Sequence, residues 1–355
     1  MIRPFRSLLL FVSLLLSSIL WSGCNREEAD SSEGDSSSAP ARGQYTGPDK
    51  VRAEIDAFRY KTRGYYNNRN FTALEKSMEE IRAGSPLFPN GSWKLFHYYE
   101  SLECAEDEKE SMWQLHERIH KDWIAAFPKS ITAHVAYADF LVSYAWQARG
   151  SDWANKVTQE GWRLMGERLA AAHQVLAAAK PLTPQCPMWW KVEMRIALGQ
   201  QWNHAEYGKL YAEAKQVAPQ FYYYDQSMAY YLMPRWYGKE GDWEKAAAAE
   251  MQRPQGLGAE GYARVLIHLL GFYENIFQQT KASWPDARAG MEALRKKYPQ
   301  SLEIVAQYCK MACLAADRPL ARSLFQQLNG TVDERIWDDR NQFNQFRTWA
   351  MSKDG

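Results

Sequence analysis

The chain has 355 residues, with 43 Lys+Arg against 42 Asp+Glu and a net charge of +1, so it carries no bulk basic field for nucleic acid. Hydrophobic residues at 46% and charged residues at 24% exclude wholesale disorder, and the length excludes a mini-scaffold that needs staples. Aromatics at 14%, with 15 Trp and 20 Tyr, are far above ordinary usage and ask for a physical explanation.

Arg3 and Arg6 precede the nearly continuous apolar run Ser7 to Leu20, too short for the roughly 20 residues a membrane-crossing helix needs. That grammar predicts a signal peptide over 1–23. Leu20-Trp21-Ser22-Gly23-Cys24 resembles the lipobox of bacterial lipoproteins. The resemblance implies cleavage before Cys24, diacylation of its sulfur and acylation of the new N-terminus. It places the chain in the bacterial cell envelope. Asn25, where an aspartate would imply inner-membrane retention, points to the periplasmic face of the outer membrane. Residues 24–48 are rich in Ser and acids, with no aliphatic larger than Ala, which predicts a lipid-anchored flexible tether. Its reach is about 25–30 Å.

From 49 to 355 the apolar residues recur at helical spacing with almost no strand alternation, which predicts one all-α body of about 13 to 15 helices. Breaks fall at Phe127-Pro128-Lys129-Ser130, at Ala218-Pro219-Gln220 and at Tyr298-Pro299-Gln300-Ser301. Ala287, Met291, Leu294 and Tyr298 stripe a helix entered at Pro285. Leu302, Val305, Cys309, Ala312, Cys313 and Ala316 stripe the next. Asp317-Arg318-Pro319 restarts the chain, and Leu320, Ala321, Leu324, Phe325 and Leu328 form a partner helix ending at Asn329-Gly330.

Gly241-Asp242-Trp243-Glu244-Lys245-Ala246 resembles the inner turn of a tetratricopeptide hairpin, and Cys309, Ala321 and Phe325 fit that repeat's small and aromatic positions. The spacing between breaks does not follow a 34-residue period. The expected architecture is therefore a degenerate tetratricopeptide-like helical-hairpin solenoid or irregular bundle. Cys186 to Gln200, Tyr207 to Pro219 and Tyr230-Tyr231-Leu232-Met233-Pro234-Arg235-Trp236-Tyr237-Gly238 resemble a bacterial domain-of-unknown-function family known by a Leu-x-Pro-Arg-Trp-x-Gly segment. Tyr144-Ala145-Trp146 and Val157 to Trp162 are of the same type, and the likeness runs from Phe71 to Trp349. It implies a helical fold and carries no established activity or catalytic residues over to this chain.

His116-Glu117-Arg118-Ile119-His120 fits H-E-x-x-H, in which two histidines one turn apart bind zinc and the glutamate activates water. At about 100° per residue His116 falls in the apolar stripe and His120 at its edge, and no third ligand follows at close spacing. A solvated helix edge that holds no metal is the expected state. Cys309 and Cys313 share a buried stripe and read as small hydrophobes, while a Cys104–Cys186 disulfide stays open. No Gly-rich phosphate loop, nucleophile elbow or paired-cysteine knuckle occurs, so no cofactor and no catalysis are expected.

The aromatic cluster around Trp189, Trp190, Tyr223, Tyr231, Arg235 and Trp236 is either the interior of closely packed helices or a binding face. The expected function is protein binding or scaffolding, with unidentified envelope proteins or peptides as partners and the membrane reached through the lipid anchor. The alternatives are a zinc metallopeptidase built on His116, Glu117 and His120, and carbohydrate or peptidoglycan binding through the aromatics. A Cys24→Ala variant should lose labelling by radioactive palmitate and shift from the membrane fraction to the soluble one.

Overall fold

The computed structural model describes residues 49–352 apart from Ser85, Asp152, Trp153, Thr183 and Asp338; the leader, Cys24 and the tether lie outside the described residues. The chain begins there with α1 (Lys50–Asn67), α2 (Phe71–Ala83) and α3 (Lys94–Glu100). Next come α4 (Glu110–Ala126), α5 (Ile131–Arg149), α6 (Gln159–Ala179), α7 (Pro187–Gly199), α8 (His204–Val217) and α9 (Tyr223–Tyr231). It continues with α10 (Asp242–Glu250), α11 (Ala259–Leu269), α12 (Ile276–Gln279) and α13 (Trp284–Lys297), and ends with α14 (Leu302–Leu314), α15 (Arg318–Leu328) and α16 (Arg340–Met351). The fold is all-α. Among the described residues there is no strand, only an isolated antiparallel bridge between Leu87 and Trp93, and no helix is long and apolar enough to cross a membrane.

The helical body clusters into two compact units. One is Glu103–Gly290, and the other joins 49–102 to 291–352.

In the first unit α5 is the central element. Thirteen of its residues are buried, on every side of the helix, and it packs against α4, α6 and α7. A helix apolar all round belongs in an interior. Ser130 caps it by accepting from Ala133 N at 3.0 Å, so the predicted Pro128 break becomes a start signal. Asp139 is the acidic group buried midway along α5, and Arg195 of α7 donates to it while reaching Ser143 Oγ at 3.3 Å. A second buried ion pair joins Lys215 of α8 to Asp225 of α9 at 2.8 Å, with Tyr211 donating to the same carboxylate. Gly290 of α13 meets α11 so closely that a Cβ there would lie 2.2 Å from Ala259 O.

In the second unit the predicted hairpin forms as α14 and α15. Ala316 turns at φ +57°, Asp317 caps α15 by accepting from Leu320 N, and Asn329 and Gly330 both take positive φ at its end. Cys309 is fully buried, its thiol 3.9 Å from Ala321 O, as the small-residue positions of a helical hairpin require. Burial pushes that thiol's pKa up, with Cys313 adding to the effect. Cys104, Cys186, Cys309 and Cys313 are all buried and none forms a disulfide, so Cys104 and Cys186 are not bridged.

Arg195→Met should lower the unfolding free energy by about 3–5 kcal/mol, because it strands the Asp139 carboxylate inside the unit. Adding Asp139→Leu should recover most of that loss in chemical denaturation, since no buried charge then remains.

Candidate binding site

The three H-E-x-x-H residues lie on α4 against α5. His116 and His120 are 6% and 0% exposed, so the solvated edge expected for this pair is corrected to a packed one. Their rings face Phe140 at centroid distances of 6.3 and 5.1 Å, and His120 also stacks on Tyr137 at 6.0 Å. Glu117 turns outward, accepting from Tyr137 Oη at 3.2 Å and pairing with Lys121 at 2.7 Å. Among the described residues no group of three or more His, Cys, Asp and Glu side chains converges to hold a metal ion.

The aromatic cluster divides into two populations. Trp189, Trp190, Tyr223 and Tyr231 are interior, at 7%, 9%, 6% and 1% exposure, and form no open face. Their polar tips hold backbone: Trp189 Nε1 donates to Leu176 O at 2.8 Å and Tyr231 Oη to Trp202 O at 2.8 Å. Trp190 meets Trp189 edge-on at 4.8 Å, Tyr222 donates to the Tyr223 hydroxyl at 3.0 Å, and Tyr231 stacks on Tyr207 at 3.8 Å.

Arg235 and Trp236 are different, because the chain presents them on a tight loop after α9. Gly238 N donates to Met233 O and Tyr237 N to Tyr231 O, folding the segment back on itself. A Cβ at Gly238 would lie 1.9 Å from Leu232 O, so only glycine fits. Tyr237 Oη donates to Leu198 O at 2.9 Å, and His204 Nε2 donates to Tyr237 O at 2.7 Å, which tie the loop to the α7–α8 region.

What the loop displays is joined by residues from distant parts of the chain. Trp236 lies edge-on to Trp146 of α5 at 5.7 Å and beside Tyr230 at 5.6 Å, and Tyr230 meets Phe272 at 5.3 Å. The exposed Arg235 guanidinium sits 5.7 Å from the Trp236 ring and 5.9 Å from that of Phe272. Arg149, at the end of α5, lies 5.7 and 5.4 Å from the rings of Trp146 and Trp162. Trp162 is 38% exposed and opens the patch to solvent.

The electrostatics are one-sided. Arg235 has no carboxylate within ion-pair distance among the described residues. Burial pushes the Tyr230 phenol up to about 12, against the pull of Arg235, the Trp236 indole N–H and Arg149. The Tyr230 hydroxyl and the Trp236 Nε1, both shielded from water, complete no well-formed hydrogen bond among the described residues. His268, 6.3 Å from Tyr230 and 6.1 Å from Phe272, is pushed down to about 4 by burial, with Lys191 adding to the effect, so it is uncharged at neutral pH. An exposed guanidinium resting beside aromatic faces is fitted to an anionic group carried on an apolar or planar body.

Arg149, Phe272 and His268 were not legible as site residues. The nearest sequence signal was the kinship of the Tyr144-Ala145-Trp146 and Trp162 segments with the Arg235-Trp236 segment.

Residues 59–200 match a family described as a domain of unknown function, DUF4034. The match covers less than half of the chain, takes in Trp146, Arg149 and Trp162, and ends before Leu232 to Gly238, so that segment is not part of what is matched. No curated protein and no solved structure matches the chain.

Gly238→Ala should open the display loop and cost about 2–4 kcal/mol, because the clash is with backbone that cannot move aside. Denaturant unfolding followed by circular dichroism measures the loss.

Proposed function

We propose that the chain is a lipid-anchored protein of the bacterial cell envelope, held on the periplasmic face of the outer membrane through Cys24, whose helical body binds envelope proteins or peptides and performs no catalysis. The observation that carries the binding proposal is Arg235. Its guanidinium rests on the Trp236 and Phe272 rings, exposed, with no carboxylate partner among the described residues. A guanidinium pre-positioned on aromatic faces loses little freedom on binding and pairs a carboxylate with two parallel hydrogen bonds. Trp146, Trp162 and Trp236 offer flat, rigid area beside it, the residue types that anchor protein interfaces.

The occupant that answers this chemistry is an acidic stretch of polypeptide with apolar or planar side chains next to its carboxylates. The membrane role rests on the lipobox-like Cys24 and its serine-rich tether, since the near-zero net charge offers no electrostatic attachment to a lipid surface.

The test is site-specific photocrosslinking in intact envelopes, with a benzoylphenylalanine replacing Trp162 in the full chain. A reproducible adduct to one protein is expected, reduced several-fold by Arg235→Ala and not produced when the same probe replaces the exposed Lys209. An adduct indifferent to Arg235, or no adduct, overturns the proposal.

A further inference from the structure

The unit joining 49–102 to 291–352 holds a groove of about 290 Å³ between α1, α2 and the segment leading into α3, within the residues of that unit alone. Its apolar surface includes Phe58 and Phe88, whose rings meet edge-on at 5.3 Å. Around it stand Glu54, Lys61, Glu80 and Lys94. None of these four charges has an ion-pair partner among the described residues, although opposite charges line the same groove. Lys61 and Lys94 instead lie 5.7 and 5.6 Å from the rings of Tyr65 and Phe88.

The groove is built on rigid parts. Phe88 N donates to Ser92 O at 2.8 Å, and Lys94 N donates to Pro86 O at 2.9 Å, closing a turn in which Gly91 takes φ +77°. Behind it the Ser92 hydroxyl donates to Asn90 Oδ1 at 2.6 Å, His97 Nε2 lies 2.9 Å from Ser92 Oγ, and His97 Nδ1 lies 3.0 Å from Glu100 Oε2. Ser92 is 6% exposed, so this chain of polar groups serves to fasten the turn to α3 and hold Phe88 in place.

We propose that this groove binds a short zwitterionic peptide of about three residues, its ammonium at Glu54 and Glu80, its carboxylate at Lys61 and Lys94, and its apolar side chain on Phe58, which the buried Phe88 backs. The length follows from α1. Glu54 and Lys61 are two turns apart on one face, a rise of about 10 Å, which is the span of an extended tripeptide at about 3.4 Å per residue. The volume is at the lower end for small-ligand sites, which excludes long or bulky peptides from full enclosure. This site is separate from the Arg235 patch and does not depend on the function proposed for it.

Calorimetric titration of the full chain with alanyl-leucyl-alanine, its N-acetylated form and its C-terminal amide tests the assignment without altering the protein. The zwitterion should bind with a dissociation constant of about 1 mM or tighter, and each blocked form about threefold to tenfold more weakly. Lys61→Ala should weaken the zwitterion but leave the amide unchanged, and Glu54→Gln should weaken the zwitterion but leave the acetylated form unchanged. Both side chains are exposed, so neither substitution touches the core. Equal binding of all three forms, indifference to both substitutions, or no binding of the zwitterion overturns the proposal.

Discussion

The first unit is organised by the burial of α5. A helix enclosed on all sides must satisfy every polar group it carries, and Asp139 is the acidic one buried near its middle. Desolvating a carboxylate costs several kcal/mol unless a cation and further hydrogen bonds meet it. Arg195 supplies that partner, and in doing so it sets the register of α7 against α5. Because Trp189 and Trp190 lie on the same helix as Arg195, that register also places the Trp189 indole on Leu176 O at the end of α6. Arg149 and Trp146, half a helix further along α5, are thereby held where the Arg235 loop meets them.

The aromatic richness has a common physical purpose across both units. A ring buries large apolar area with few rotatable bonds, and its O–H or N–H can reach a backbone carbonyl. Tyr98 donates to Leu74 O, Tyr207 to Ser227 O, Tyr224 to Pro187 O, Tyr231 to Trp202 O and Tyr237 to Leu198 O. Among these acceptors Leu198 lies in the last turn of α7, where carbonyls lack intrahelical partners, and Trp202 in the turn that follows. Tyrosine and tryptophan thus pack neighbouring helices and fasten their ends, which a degenerate repeat with short, irregular helices needs more than a regular array does. Near the exposed Arg235 the rings do something else: Trp236 and Phe272 lie beside a guanidinium instead of fastening a helix end.

Much of the fold was legible because it is locally encoded. The α14–α15 hairpin could be placed from its apolar stripe, its Asp317 cap, Pro319 in the first turn and the Asn329-Gly330 stop, each a property of adjacent residues. The Ser130 start of α5 was legible as punctuation for the same reason. The candidate binding site was legible only in part. Arg235 and Trp236 could be singled out, yet Trp189, Trp190, Tyr223 and Tyr231, chosen on the same compositional grounds, are core. The groove around Phe58 and Phe88 left no motif, because its charges come from α1, α2 and the start of α3 at spacings that mean nothing until the helices pack. His116 and His120 teach the converse lesson: a five-residue pattern matched a metal site, and packing against Phe140 used both rings as interior surface.

By itself the sequence determined where several helices begin and end, that the described chain is all-α, and which residues carry charge or rings. These follow from short-range physics: the 3.6-residue period, capping geometry, and the restricted backbone of proline and freedom of glycine. Only the tertiary structure decided which aromatics face solvent and which charges go unpaired. Exposure and pairing are sums over neighbours, and the neighbours of Trp236, with Trp146 of α5 among them, are remote from it in sequence and set by the enclosure of α5 and the packing it imposes on the helices around it.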